Sequence, residues 1–363
     1  MSASPASAVG PNLERILIVR LSSMGDVIHA LPAAALLREA FPHAALGWLI
    51  EERWTELLCA PACALSGPRS PERPLVDHVH PLNLKHWRSN LFAARTWERM
   101  AAGLSYLRAE HYQLALDLQG AARSAILARW SGAPSIYGAA QPRENVASMW
   151  YTTRVMARGA HVVERYCALA QSVTGRAVPI PPAQFPRDSR AEEAVQCQLH
   201  RLGAEEFVIL SPGAGWGAKH WPAERYGQVA SAMAGDGLKA ILNFGPAEEA
   251  LARRAESASG GTGIAISLSV SELVALTRRA RLFIGGDSGP LHLAAALNIP
   301  VVALFGPTDP ARNGPFATRN IVLRHPASPT SLTHRAGPDP GLLAITAGEV
   351  IAAARRLLGS ASA

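Results

Sequence analysis

Only four cysteines, Cys59, Cys63, Cys167 and Cys197, are scattered through the 363 residues. Their spacing matches neither a disulfide framework nor a zinc knuckle, so a reduced, cytosolic protein is expected. Charged residues are also few, 17% against 48% hydrophobic, which excludes a disordered chain and provides for a sizeable core. A secretory signal is missing: Met1 to Arg15 has neither a basic n-region nor an apolar h-region. Between Asp287 and Asp309 there is no charge at all, a length sufficient for a membrane span. His292, Asn298 and Pro300 argue instead for a buried helix followed by a buried strand. The sequence contains neither G-x-G-x-x-G nor G-x-x-x-x-G-K-[ST], so hydride transfer with a dinucleotide and P-loop NTP hydrolysis lack their phosphate cradle.

What is present is an α/β alternation. Arg15–Leu21 (RILIVRL) is a β-branched apolar run, followed by the loop SSMGD and an Ala/Leu-rich helical stretch to Ala40. Similar units recur at LGWLI, at LALDLQ with AARSAILARW, and near Ile136. Continuous apolar strands alternating with helices imply parallel sheets covered on both faces. Near Val178 the proline-dense PIPPAQFPRDS can neither continue a helix nor join a central strand. The expected division is therefore a domain over 1–178, a linker over 179–188, a second domain over 189–345, and a terminal helix and tail over 346–363 with Thr346 at the N-cap. Two doubly wound domains of this kind would leave an interdomain cleft at the carboxyl ends of their strands, where open α/β sheets bind ligands.

Chemistry is accordingly sought in the strand-to-helix loops. Ser22-Ser23-Met24-Gly25-Asp26 presents hydroxyls, a flexible glycine and a carboxylate, and Asp26 reads either as a helix cap or as a general base. The loop Pro212–Pro222 has Gly213, Gly215 and Gly217 for close backbone approach and Lys219 as a point charge for phosphate, or else is an ordinary glycine-rich turn. In Gly285–His292, the amides at a helix start around Ser288 and Gly289 suit an anion, and His292 adds a donor or sits satisfied in the core. Asp287 would repel phosphate there, and is better placed to hold a sugar hydroxyl, a loop amide or Lys219. Glu248, in GPAEE, can accept from ribose hydroxyls or serve as a first-turn acid, with Glu249 the neighbouring alternative. Lys85, Arg88, Arg123 and Arg143 form a basic set in the first half, either an anion pocket or solvated charges. The formal net charge of +7 favours an acidic partner and leaves nucleic acid, anionic lipid and nucleotide substrates open.

In order along the chain, ILIVRLSSMGDVIHALPA, HPLNLKHWR, LDLQGAARSA, PRENVASMWY, KHWP, GGDSGPLHLAAAL and FGPTDP resemble glycosyltransferase family 9, the lipopolysaccharide heptosyltransferases. SSMGD with KHWR points to the branch that adds the first heptose rather than the second. The resemblance implies a GT-B fold of two Rossmann-like domains, an ADP-heptose donor in the C-terminal half and the inner Kdo of Kdo-lipid A as acceptor in the N-terminal half. It also implies a one-step inversion. Asp26 matches the catalytic aspartate. Lys219, Gly213, Asp287, Ser288, Gly289, His292 and Glu248 match donor positions. Ser23, Gly25, Lys85, Arg88, Arg123 and Arg143 fall on the acceptor side. Lys85 stands where an arginine is expected. No metal or other cofactor is implied, since no carboxylate pair resembles a D-x-D site. A lipid-borne acceptor and basic charge imply a cytoplasmic protein reversibly associated with the inner face of the cytoplasmic membrane. The alternatives are heptosyltransferase II or another nucleotide-sugar transferase, a GT-B-like epimerase, and a non-enzymatic nucleotide binder.

Overall fold

The computed structural model describes residues 13–84, 94–331 and 337–359. The chain separates into two compact units, divided between Arg187 and Asp188. Residues 176–188 carry neither helix nor strand.

The first unit is built on β1 (Arg15–Val19), β2 (Ala45–Glu51), β3 (His78–Leu82), β4 (Leu114–Asp117), β5 (Ser135–Ala139) and β6 (Thr153–Val155). They form one parallel sheet in the order β3-β2-β1-β4-β5-β6. The second unit repeats the scheme with β7 (Phe207–Ser211), β8 (Lys239–Phe244), β9 (Gly263–Ser267), β10 (Leu282–Gly286), β11 (Val301–Phe305) and β12 (Asn320–Arg324). Their order, β12-β11-β10-β7-β8-β9, is the same doubly wound topology counted from β7. Each sheet is therefore Rossmann-like, and each has one switch point, between β1 and β4 and between β7 and β10, where strand order reverses and a crevice opens at the carboxyl ends.

The central strands read as unbroken apolar runs because both faces are covered. Ile16, Leu17, Ile18 and Val19 are all fully buried, and each buried aliphatic side chain of this kind contributes about 1.5–3 kcal/mol. Helix Met24–Ala40 is enclosed almost all round, with helix Val162–Thr174 packed along it. The charge-free stretch resolves into helix Gly289–Ala296 and β11 on either side of Pro300. Among the described residues no helix is long and apolar enough to cross a membrane. The terminal helix Ala347–Gly359 starts at Thr346, whose hydroxyl accepts from the Glu349 amide at 3.2 Å. Its Val350, Ala353, Ala354 and Leu357 pack with Leu242, Ile284 and Leu304 in the core of the second unit, so it belongs to that unit rather than standing apart.

Three strands escape a sequence reading for physical reasons. HVHPL of β3 carries two histidines and a proline, β6 is three residues at a sheet edge, and β12 is an edge strand that is only half-buried. Helices Ala94–Ala109, Val162–Thr174 and Ser189–Leu202 are likewise additional to the elements read from sequence.

Candidate functional site

At the switch point of the first sheet, β1 ends on Val19, and Arg20 opens the loop that enters helix Met24–Ala40. Asp26 lies in the first helical turn, half-buried, and its Oδ2 accepts from the Ser23 amide at 3.0 Å and the Ser23 hydroxyl at 2.9 Å. Those bonds are the capping geometry. A further partner is present: Arg20 Nη2 stands 2.7 Å from the same oxygen. Burial by itself would raise the Asp26 pKa, but the Arg20 charge and the Ser23 donors outweigh it and hold this carboxyl below its ordinary value of 3.8. Arg20 is buried, donates to the Leu118 carbonyl at 3.0 Å and stacks over the Tyr166 ring at 5.3 Å. The result is an ionised, oriented carboxylate at the carboxyl edge of the sheet. Gly25 is buried beside it, and Ser23 is exposed.

Across the switch point, β4 ends on Asp117, fully buried and tied by four donors. Its Oδ1 accepts from the Gln119 and Gly120 amides at 2.8 and 3.2 Å. Its Oδ2 accepts from the Ser124 and Tyr151 hydroxyls at 2.9 and 2.7 Å. Burial raises its pKa in spite of those donors. The Tyr151 ring reaches it only because residue 138 is glycine: a Cβ there would stand 2.3 Å from the ring. Gln119 Oε1 in turn accepts from the Leu21 amide at 2.9 Å, fastening the two loops together. The segment 142–144 docks on the turn at Gly120, with the Glu144 carboxylate accepting from the Ala122 amide at 2.9 Å. Arg123 and Arg143 are thereby brought to one turn, both exposed. Lys85 and Arg88 lie outside the described residues.

The second sheet has its own set. Lys219 Nζ lies 2.5 Å from Asp287 Oδ2 and 3.4 Å from its carbonyl. His292 Nε2 meets the other carboxylate oxygen, Oδ1, at 3.0 Å. Burial alone would raise the Asp287 pKa, but the bond from His292 and the nearby charges of His292 and Lys219 keep this acid ionised, far below the usual carboxylate range. The carboxylate that would repel a phosphate is thus occupied, with Lys219 held over the Trp216 ring at 5.3 Å rather than free as a mobile charge. Ser288 occupies the N-cap of helix Gly289–Ala296 and its side chain makes no cap bond; in that turn Pro290 has no amide to offer and the His292 amide donates to the Ser288 carbonyl at 3.3 Å. The Oγ of Ser288 and the Oγ1 of Thr308, in the loop after β11, are buried without a partner among the described residues. Pro222 lies at the N-cap of helix Ala223–Gly235.

Glu248 and Glu249 separate clearly. The Glu248 carboxylate accepts from the Gly245 amide at 2.8 Å and lies against Gly213, where a Cβ would be 2.1 Å from its Cδ. Glu249 instead points outward, 3.6 Å from Arg253 on the helix surface. Gly213, Lys219, Glu248, Asp287, Ser288 and Gly289 all therefore sit at the carboxyl edge of the second sheet. Arg20, Asp117, Gln119, Tyr151 and Thr308 were not singled out from sequence. For Arg20 and Asp117 a signal was available, a charge at the end of an otherwise apolar buried strand. Among the described residues no group of three or more His, Cys, Asp or Glu side chains converges as a metal site would.

The family model for glycosyltransferase family 9 (heptosyltransferase) matches residues 101–337. The chain belongs to glycosyltransferase family 9. Within that family it is similar to lipopolysaccharide heptosyltransferase 1 of Pseudomonas aeruginosa, 32% identical over 318 residues that span 85% of this chain and 83% of the relative. Lipopolysaccharide heptosyltransferase 2 of Escherichia coli is 28% identical over 85% of this chain and 88% of its own. Among solved structures, E. coli heptosyltransferase WaaC with ADP superposes with a TM-score of 0.75 at 26% identity, covering 94% of this chain and 99% of that one. The two Rossmann-like sheets are thus those of a GT-B glycosyltransferase, and this family 9 member is an enzyme of the heptosyltransferase class.

Proposed function

We propose that this enzyme transfers L-glycero-D-manno-heptose from ADP-heptose to the inner Kdo of Kdo-lipid A, with inversion, in lipopolysaccharide inner-core synthesis. The observation that carries the reading is the half-buried, ionised Asp26 carboxylate held by Arg20 and Ser23 at a switch point. The acceptor hydroxyl oxygen attacks the anomeric carbon as its proton passes to Asp26, and the bond to the β-phosphate oxygen breaks with its electron pair leaving on ADP. Charge grows on that diphosphate, and fixed donors are worth most where charge develops. Lys219, the amides of Ser288 and Gly289 at the helix start, and His292 behind Asp287 are assigned to it. Glu248 is assigned to the adenosine ribose beside Gly213.

Ser23, Gly25, Lys85, Arg88, Arg123 and Arg143 are assigned to the acceptor, whose carboxylates and phosphates suit guanidinium and ammonium donors. No metal or cofactor enters the scheme. A lipid-borne acceptor calls for reversible attachment to the cytoplasmic face of the inner membrane. The match to heptosyltransferase 2 favours a second reading, the same transfer onto an already heptosylated acceptor. Assays pairing ADP-heptose or UDP-sugars with Kdo-lipid A and with its heptosylated product test both. Transfer from ADP-heptose to Kdo-lipid A is expected. Activity only on the heptosylated product favours the second reading, and donor turnover without acceptor contradicts both.

A further inference from the structure

Eight large hydrophobic side chains are exposed among the described residues, and three of them, Val146, Met149 and Met156, fall within one short stretch of the first unit. Met149 and Met156 are exposed to 73% and 65%, higher than any of the other six. Single exposed apolar residues are ordinary, but a local group carries a cost in water that a partner removes. The 3-10 turn Asn145–Trp150 follows β5, and Met156 follows β6. Arg154 Nε donates to the Ser148 carbonyl at 3.2 Å, joining the turn to the edge strand next to both methionines.

The sheet is parallel, so the ends of β5 and β6 open on the same edge as Arg20, Asp26 and Asp117. Arg123, Arg143 and Arg158 are exposed on the segments leaving β4, β5 and β6, and Arg154 is exposed within β6 itself. Between residues 140 and 158 the sole acid is Glu144, and its carboxylate is engaged by the Ala122 amide. Flexible apolar side chains and guanidinium groups exposed on the same short segments, with no free acid between them, complement an acidic, partly apolar surface. An exposed aromatic and its basic neighbour, Trp130 and Arg129, end helix Ala122–Trp130, which runs back to the opposite edge of the sheet.

We propose that the Asn145–Trp150 turn and the Met156 corner, with Arg143, Arg154 and Arg158, are the face by which the first unit docks on an anionic lipid surface. This deepens the reading of a lipid-borne acceptor, and it names which edge meets the lipid. Methionine side chains enter the headgroup boundary while the arginines meet phosphates, and the bilayer is then presented to the loop that carries Asp26.

The test is flotation of the full chain with phosphatidylcholine vesicles, with and without phosphatidylglycerol, in the absence of donor and acceptor. Binding to the anionic vesicles alone, weakened by salt, is expected. Met149→Ser with Met156→Ser, and separately Arg158→Glu, should each weaken partitioning by about tenfold. Arg129→Glu with Trp130→Ser, at the opposite edge, should leave it unchanged. Transfer to a deacylated, soluble acceptor should persist in the methionine variant, so loss of membrane docking is scored apart from loss of heptosyl transfer. Equal loss in the opposite-edge variant, or no binding by the parent chain, overturns the proposal. So does a methionine variant that alters the oligomeric mass while partitioning normally, since the face then serves a second copy of the chain.

Discussion

Arg20 and Asp26 form an ion pair at 2.7 Å in which the guanidinium is almost wholly buried and the carboxylate is about one-third exposed. The cation is anchored from behind by the Leu118 carbonyl and the Tyr166 ring, so the aspartate is the member that meets solvent. Proposed as a base, Asp26 is thus kept ionised and aimed, and what it loses in basicity it regains in orientation.

Replacing Arg20 separates those two effects. Arg20→Met removes the cation that lowers the Asp26 pKa, so this carboxyl should titrate at higher pH than in the parent. For a base that must be deprotonated, the acid limb of the transfer rate moves upward with it, while the rate at neutral pH falls by about tenfold to a hundredfold through lost orientation. Arg20→Lys should recover part of both. A pH–rate profile and carboxyl NMR of Asp26 check this, and an acid limb that stays in place in the methionine variant contradicts the coupling.

Tyr151→Phe takes one of four donors from the buried Asp117 while keeping the ring that fits over Gly138. The expected loss is roughly 1–3 kcal/mol of stability in the first unit, read from denaturant unfolding. Tyr151 belongs to the first unit, whereas the residues assigned to ADP belong to the second, so ADP affinity should be unaffected.

In the second unit, Gly213→Ala would drive a methyl into the Glu248 carboxylate. ADP binding measured by calorimetry should weaken by about tenfold, an effect of the size of one lost ribose hydrogen bond to a charged acceptor. Glu249→Gln, on the outward side, should leave it unchanged. Equal effects in the two variants contradict the assignment of Glu248.

Acid should weaken the first unit before it reaches the carboxylates. His80 is buried, with Nε2 2.7 Å from the Tyr112 hydroxyl, and burial together with the charge of His78 pushes its pKa down from 6.5 to about 4. The folded-state pKa is depressed, so the unfolded chain binds the additional proton. The contribution is complete above pH 6.5 and is lost as the pH falls toward 4, to an extent of roughly 3 kcal/mol. His80→Gln should flatten the fall in Tm between these two values.

Much of this was legible in sequence, and the exceptions have causes. Unbroken apolar runs such as RILIV and VVALF announce strands covered on both faces, and the loops that follow them carry the candidate residues. The strands that sequence missed are those without such a run. Asp26, Lys219 and Asp287 were visible as chemistry-bearing residues in glycine-containing loops, and the Asp26 partners Arg20 and Ser23 lie close by in sequence, but other pairs are far apart. Lys219 and Asp287 are 68 positions apart, and Asp117 and Tyr151 are 34 apart. Only the parallel register of the strands brings such pairs together. The opposed orientations of Glu248 and Glu249 depend on where helix Glu249–Ala258 begins, which residue types alone do not fix to one position.

The division of labour between the two sheets is tested most directly by measuring transfer rate and ADP affinity side by side in Asp26→Asn and Lys219→Ala. Asp26→Asn should lower transfer by about 10²–10⁴ with ADP affinity unchanged, whereas Lys219→Ala should weaken both. Transfer that survives in Asp26→Asn, or ADP affinity that falls equally in the two variants, contradicts the account.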